Sequence, residues 1–331
     1  MPFIDEALRA RLSIPAIAAP MFLVSGPDLV VETCRHGIMG TFPALNQRSS
    51  EGYAAWLDEI RERLERFDGA APFGVNLIVH KTNTRLMRDV QITVEHRVPV
   101  VITSLGAVRD VVDAIHSYGG LVFHDVINLH HARKAAGAGV DGLIAVCAGA
   151  GGHAGLLNPF AFVDEIRQFF EKTIILSGAI TNGRQIAAAE MLGADLAYLG
   201  TRFINTREAM APIGHKEMIV AAAAKDIVYT PAISGVHGNF LRASIVAAGA
   251  DPDNLTSDVK MNMSAEHEAK AWKDVWSAGQ GVGGIADIPT TAELCERLIA
   301  EYREALSPLA ALKAACAGLS APLVNPKNQL I

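Results

Sequence analysis

The stretch Ala148-Gly149-Ala150-Gly151-Gly152-His153-Ala154-Gly155 sets a histidine among glycines. Little in such a segment can pack around an imidazole, while the glycines let a flat ligand approach the backbone closely. An imidazole placed there could exchange protons near neutral pH, as a general acid or base must. The competing reading is a loop histidine that faces solvent. Two apolar runs end in Ser177-Gly178-Ala179-Ile180 and Leu199-Gly200-Thr201-Arg202-Phe203. Glycine at such turns lets N–H groups reach an anion with no Cβ in the way, so Gly178, Gly200 and Thr201 are candidates for holding a phosphate. Alternatively, the glycines only make tight turns.

Asn76 interrupts an otherwise apolar run and would need partners for its amide if buried. A ring edge carrying donors and acceptors would satisfy it, and so would neighbouring backbone. Gln280, in Ala278-Gly279-Gln280-Gly281-Val282-Gly283-Gly284, presents the same choice between a segment folded over a ligand and a flexible turn. Pro20-Met21 follows the first apolar run and His124-Asp125 falls in the fifth. His124 with His130-His131 lacks a carboxylate or cysteine at metal-ligand spacing, so no metal is expected. These histidines read as surface or helix-cap residues, as do His36, His80, His96, His116, His215 and His267, while His237 stays open.

Something must hold these residues together. Short runs rich in Val, Ile or Leu and apolar on both faces recur at 14–19, 38–41, 73–79, 98–104, 121–126, 142–147, 173–177 and 196–200. A parallel strand covered on both sides has that pattern. Most are followed by helical periodicity, as at 50–67, 107–118, 129–136 and 183–192. Eight strand–helix units predict an α/β fold closing into a (β/α)8 barrel, with a doubly wound open sheet as the competitor. Barrel enzymes carry their chemistry at the C-terminal ends of the strands. The segments after the first, sixth, seventh and eighth runs would fall there, with Asn76 on the third strand and His124-Asp125 at the end of the fifth. The expected organisation is a barrel over 1–212, a smaller helical lid inserted at 213–288, and a C-terminal helix and tail at 289–331 packing back on the barrel. Helical pieces are expected at 218–224 and 240–248, and a long helix at 290–306 that Pro308 should end or kink. The tail from Ser320 has little periodicity.

Composition narrows the function. The 331 residues carry 29 basic and 35 acidic side chains, a net charge of −6, and half are apolar. A disordered chain is excluded, and a net negative chain without a basic block is a poor binder of nucleic acid or of an anionic membrane. The uncharged stretch 142–163 contains several glycines, His153, Asn158 and Pro159, and would not hold a lipid-facing helix. Cys34, Cys147, Cys295 and Cys316 lie far apart and read as buried thiols in a reducing compartment. With an acidic rather than basic N-terminus, the expected location is cytoplasmic.

With those residues assembled, the chain resembles the FMN-dependent nitronate monooxygenase family, formerly called 2-nitropropane dioxygenases. The resemblance runs from Ala18-Ala19-Pro20-Met21 to Ala278-Gly279-Gln280. Its sharpest marks are Ala150–Gly155 and Gly193-Ala194-Asp195 leading into Leu199–Phe203. It implies a TIM barrel with FMN at the strands' C-terminal ends and a small helical part over the flavin. Pro20 and Met21 would lie near the isoalloxazine ring, Asn76 on its polar edge, and Gly151 along the FMN. Gly178, Gly200 and Thr201 would lie near its phosphate. His153 would be the catalytic histidine, and Gln280 would approach from the lid. The implied reaction is oxidation of alkyl nitronates by dioxygen to carbonyl compounds and nitrite. Partners would be the nitronate and dioxygen, with a homodimer left open.

Three positions depart from the family pattern. Gly178-Ala179 stands where Gly-Gly is usual, Val146 where some members carry glutamine, and Asp125 where a related subgroup carries lysine. Asp125, placed at the cofactor, would remove a cation able to favour negative charge on reduced flavin. Two other readings fit the same framework: an NAD(P)H-dependent FMN quinone or enoyl reductase, and a flavin-free sugar-phosphate isomerase or lyase.

Overall fold

The computed structural model describes residues 4–106, 109–256 and 275–317, with side chains to 307. His267, the side chain of Cys316, the first residues of the helix expected from 107, and the tail from Ser320 lie outside the described residues. The eight apolar runs form parallel strands: β1 (Ala16–Ala18), β2 (Met39–Pro43), β3 (Gly74–Ile78), β4 (Val100–Ser104), β5 (Leu121–Val126) and β6 (Gly142–Val146). After the two-residue strand β7 (Gly152–His153) come β8 (Thr173–Ser177) and β9 (Leu196–Leu199). All but β7 pair in sequence order, and β9 returns to β1 with Tyr198 opposite Ile17. The sheet is therefore closed: a TIM barrel rather than an open doubly wound sheet. Its strands are buried on both faces, with Ile17, Val75, Ile102, Ile144 and Ile175 fully shielded.

Helices start where a polar side chain caps them. Asn128 accepts the His131 N–H, Asn158 that of Phe160, and Asn182 that of Gln185, opening Leu129–Ala138, Pro159–Arg167 and Gly183–Met191. At the base of the barrel, Asp195 accepts the Ile174 N–H and a guanidinium N–H of Arg167, each at 2.8 Å. Gly193-Ala194-Asp195 thus fastens a helix to the strands and does not reach the mouth.

Beyond β9 the chain is helical at Ile213–Ala221 and Arg242–Ala247. Between them runs an antiparallel hairpin that the expectation of helical pieces omitted. Its strands are β10 (Ile227–Thr230) and β11 (Gly238–Leu241), with β11 also pairing to β7. Ile227-Val228-Tyr229-Thr230 is β-branched and aromatic, the composition of a strand, so residues 238–241 find a partner and helix begins only at Arg242. The C-terminal helix Thr291–Ala317 opens with a reciprocal cap between Thr290 and Glu293. It docks on Gly183–Met191 through Glu301, which accepts the Gly183 N–H at 2.8 Å. It also continues through Pro308, where a stop was expected. Proline forfeits one backbone bond, and the helix resumes on its far side. Among the described residues, no helix is long and apolar enough to cross a membrane.

Candidate active site

A cavity of about 730 Å³ opens at the C-terminal ends of the barrel strands. Pro20, Met21, Asn76, Asp125, Gly151, His153, Gly178, Gly200 and Thr201 all line it, gathered from six loops or strands far apart in sequence. Gln280 does not. A 3-10 turn begins there, its N–H bonds the Gly149 carbonyl at 2.9 Å, and its side chain is exposed. Anchoring the backbone turns the amide outward, so it is the neighbouring Gly279 and Gly281 that face the cavity.

One corner is built for an anion. After β8, Gly178 (φ +142°) and Ala179 (φ +54°) turn the backbone, and the N–H groups of Gly178, Ala179 and Ile180 bond to no acceptor among the described residues. Successive unpaired amides in a turn of this kind form an anion-binding concavity. Across from them, a Cβ added to Gly200 would meet nothing closer than Ala19 and Met21 at 3.8–4.0 Å, so the space it leaves belongs to the cavity. Thr201 is spoken for: its hydroxyl oxygen accepts the buried Gly279 N–H at 2.8 Å, fastening the lid turn to the corner. Gly151 serves the same closure. A Cβ there would stand 2.8 Å from the Gly279 nitrogen, so its glycine is required by the lid's approach. Arg202 points away and pairs with Asp287 at 2.8 Å, which also binds Arg297.

The floor is polar. The Asn76 amide donates to the Ile102 carbonyl at 3.3 Å and to Ser104 Oγ at 2.7 Å. Ser104 in turn donates to Asp125 Oδ2. Asp125 Oδ1, shielded from solvent, has no partner among the described residues. Burial pushes the Asp125 carboxyl up to about 6, with the Ser104 hydrogen bond opposing. On β9, burial and the Asp125 charge push the Tyr198 phenol upward. His124, expected at the surface, is buried and also lines the cavity, its Nδ1 2.7 Å from Thr103 Oγ1.

Above the floor stands His153. Strand β7 places it opposite Gly238 of β11, and Asn239 holds the glycine loop by donating to the Ala150 carbonyl at 2.6 Å. His153 Nε2 lies 3.2 Å from Ser234 Oγ, whose own proton goes to the Val236 carbonyl at 3.1 Å. The hydroxyl is therefore the acceptor and Nε2 the donor, which in a neutral ring leaves the lone pair on Nδ1. Burial lowers the His153 pKa to about 4, so the ring is neutral at physiological pH. Tyr229 and His237, stacked 5.1 Å apart, complete that wall. His215, expected at the surface, is buried there: it stacks on Trp276 at 5.3 Å and donates to the Ser277 carbonyl at 2.9 Å.

Ser104, Tyr198, Ser234 and Tyr229 escaped the sequence reading. Ser104 and Tyr198 had a signal of the kind that marked Asn76, a polar group ending or interrupting an apolar strand, whereas Ser234 had none. Among the described residues no cluster of His, Cys, Asp or Glu could hold a metal ion.

The chain has known relatives. The family model described as nitronate monooxygenase matches residues 8–301. The chain belongs to that family. It is an enzyme. A nitronate monooxygenase of Paraburkholderia phytofirmans is 26% identical over 89% of this chain and 94% of its own length. Among solved structures, the nitroalkane oxidase of Streptomyces ansochromogenes superposes with a TM-score of 0.76 at 24% identity, covering 92% of this chain and all of that one. FabK of Thermotoga maritima gives 0.74 at 24% identity over 92% and 97%. These two structural likenesses speak for the fold.

Proposed function

We propose that this nitronate monooxygenase family member binds FMN in the barrel mouth and uses dioxygen to oxidise alkyl nitronates to carbonyl compounds and nitrite. The observation that carries the reading is the combination, in one cavity, of an unpaired amide cradle, a floor with an orphaned acceptor, and a neutral histidine above. The cradle fits a phosphate, and the amide–hydroxyl–carboxyl floor fits a ring edge bearing both donors and acceptors. Residues 178–180 would take the phosphate, with Thr201 setting that corner's shape through Gly279. Asn76 and Asp125 would take the ring edge, and Met21 would lie along the ring. When bound, FMN supplies the electron acceptor for the nitronate and the centre that meets dioxygen.

The protein's share follows from its own groups. The hairpin and the turn at 278–281 cover the mouth and exclude water. His153 has its conjugate acid held near 4, so it is a weak base toward a neutral nitroalkane. A nitronate arrives already deprotonated, and its negative charge favours a protonated ring that can hydrogen-bond the nitro oxygens. Magnitude therefore favours nitronates over nitroalkanes as substrates. The test is steady-state nitrite release from ethyl nitronate and from nitroethane at matched concentration. The reading expects the nitronate to be faster by at least about tenfold, the effect of about 1.4 kcal/mol in the barrier. Equal rates would refute it. Rapid anaerobic bleaching of the bound flavin by NADH would instead identify a nicotinamide-dependent reductase.

A further inference from the structure

The hydrogen-bond directions in the cavity floor assign a role to Asp125. The Asn76 amide can only donate its Nδ2–H to Ser104 Oγ, at 2.7 Å. The Ser104 hydroxyl has one proton, and it goes to Asp125 Oδ2. The chain thus runs one way, from amide to hydroxyl to carboxyl, and ends on Oδ1, which is shielded, lines the same cavity and has no partner among the described residues. Such an atom is costly to leave unsatisfied, and more so if it carries charge. Among the described residues, no lysine or arginine pairs with Asp125. Titratable groups on the surrounding elements are Tyr198 from β9, His124 beside it on β5, and His131 and Lys134 from Leu129–Ala138. His153 reaches the cavity from the loop after β6, and His215 and His237 from the lid side. His124, His153 and His215 are held neutral by burial, so they bring no positive charge to the carboxyl.

We propose that Asp125 engages the polar edge of the bound flavin as a neutral carboxylic acid, with Ser104 fixing Oδ2 and the proton carried on Oδ1 toward a ring acceptor. This rests on the FMN reading above and adds to it a proton taken up or retained on binding. Toward an acceptor atom of that edge, an ionised carboxylate would offer only a second acceptor, and the hydrogen bond would be replaced by repulsion. Binding would therefore weaken as Asp125 ionises. Burial already raises its pKa to about 6, and a donor–acceptor bond to the ring would raise it further. An asparagine keeps a donor at this position and cannot ionise.

The experiment is FMN binding by flavin fluorescence to the full-length chain freed of flavin, from pH 5.5 to 8.5, for the wild type and Asp125→Asn. The FMN phosphate titrates near pH 6 in both proteins, so the ratio of the two dissociation constants isolates Asp125. The wild-type affinity relative to the variant should fall by about tenfold per pH unit once pH exceeds the carboxyl's pKa in the free protein. Asp125→Leu, which has no donor, should bind more weakly than Asp125→Asn at every pH. A flat ratio in a protein that binds FMN overturns the role of Asp125 and leaves the cofactor reading standing. Failure of both proteins to bind FMN at any pH overturns both.

Discussion

His153 Nε2 and Ser234 Oγ stand 3.2 Å apart, and the serine's proton is committed to the Val236 carbonyl. A residue of the lid loop therefore selects the tautomer of a histidine on the barrel side. Ser234→Ala removes that selection while leaving floor and cradle intact. Turnover of ethyl nitronate should drop by about tenfold with FMN affinity unchanged, read by nitrite release and by flavin fluorescence. Unaltered turnover would mean that the serine does not orient the ring.

Thr201 gives a stability prediction. Its hydroxyl is the acceptor for the buried Gly279 N–H, so Thr201→Val leaves that donor unsatisfied at a cost of roughly 1–3 kcal/mol. Thr201→Ser keeps the acceptor and should lose much less. Denaturant midpoints of the two variants decide the matter, and equal losses would show that the methyl rather than the oxygen matters.

Ala179 holds a left-handed conformation at φ +54°, beside the amides that form the anion cradle. A Cβ in that region is strained by about 1–2 kcal/mol, against about 0.5–1 kcal/mol by which glycine loosens the unfolded chain. Ala179→Gly should thus raise stability slightly, by no more than about 1.5 kcal/mol, without weakening FMN binding. A clear loss in thermal denaturation would show that the alanine methyl is packed productively.

Acid should unfold the protein earlier than carboxylate titration alone would. His124, His153 and His215 are each held near 4 by burial, whereas an unfolded histidine titrates near 6.5. Between those values the unfolded chain binds the extra protons, so stability falls as pH falls from 6.5 toward 4. Asp125, raised to about 6, works in the opposite sense, because the folded chain keeps that proton longer. Two net protons give a slope of roughly 2–3 kcal/mol per pH unit at its steepest. Replacing His215 with Gln should flatten the slope by about half in urea titrations at pH 4.5–6.5. An unchanged slope would place that ring in solvent.

How much of this was legible depends on range. The eight strands could be read because both faces of each are buried, which leaves a continuous apolar run. Ring closure could be argued from the count of eight, since Tyr198 meets Ile17 only across the whole fold. Asn76 and His153 stood out by being wrong for their surroundings. The hairpin was missed because β10 is only half-buried, and β11 runs directly into the helix at Arg242, so one apolar stretch reads as all helix. Gln280 misled for a different reason: its glycine setting marked the approach of the lid, but a backbone bond to Gly149 decides which side chain faces inward. Ser234 acts through a contact 81 residues distant, which no local pattern records.

The most direct test of the whole account is aerobic turnover of ethyl nitronate by the FMN-loaded protein, with dioxygen uptake and nitrite followed together in the wild type and His153→Asn. The account predicts nitrite formed in step with dioxygen consumed, and a loss of most of that turnover in the variant while its flavin spectrum is unchanged. A flavin-loaded wild type that releases no nitrite, or a variant that turns over at the wild-type rate, would contradict it.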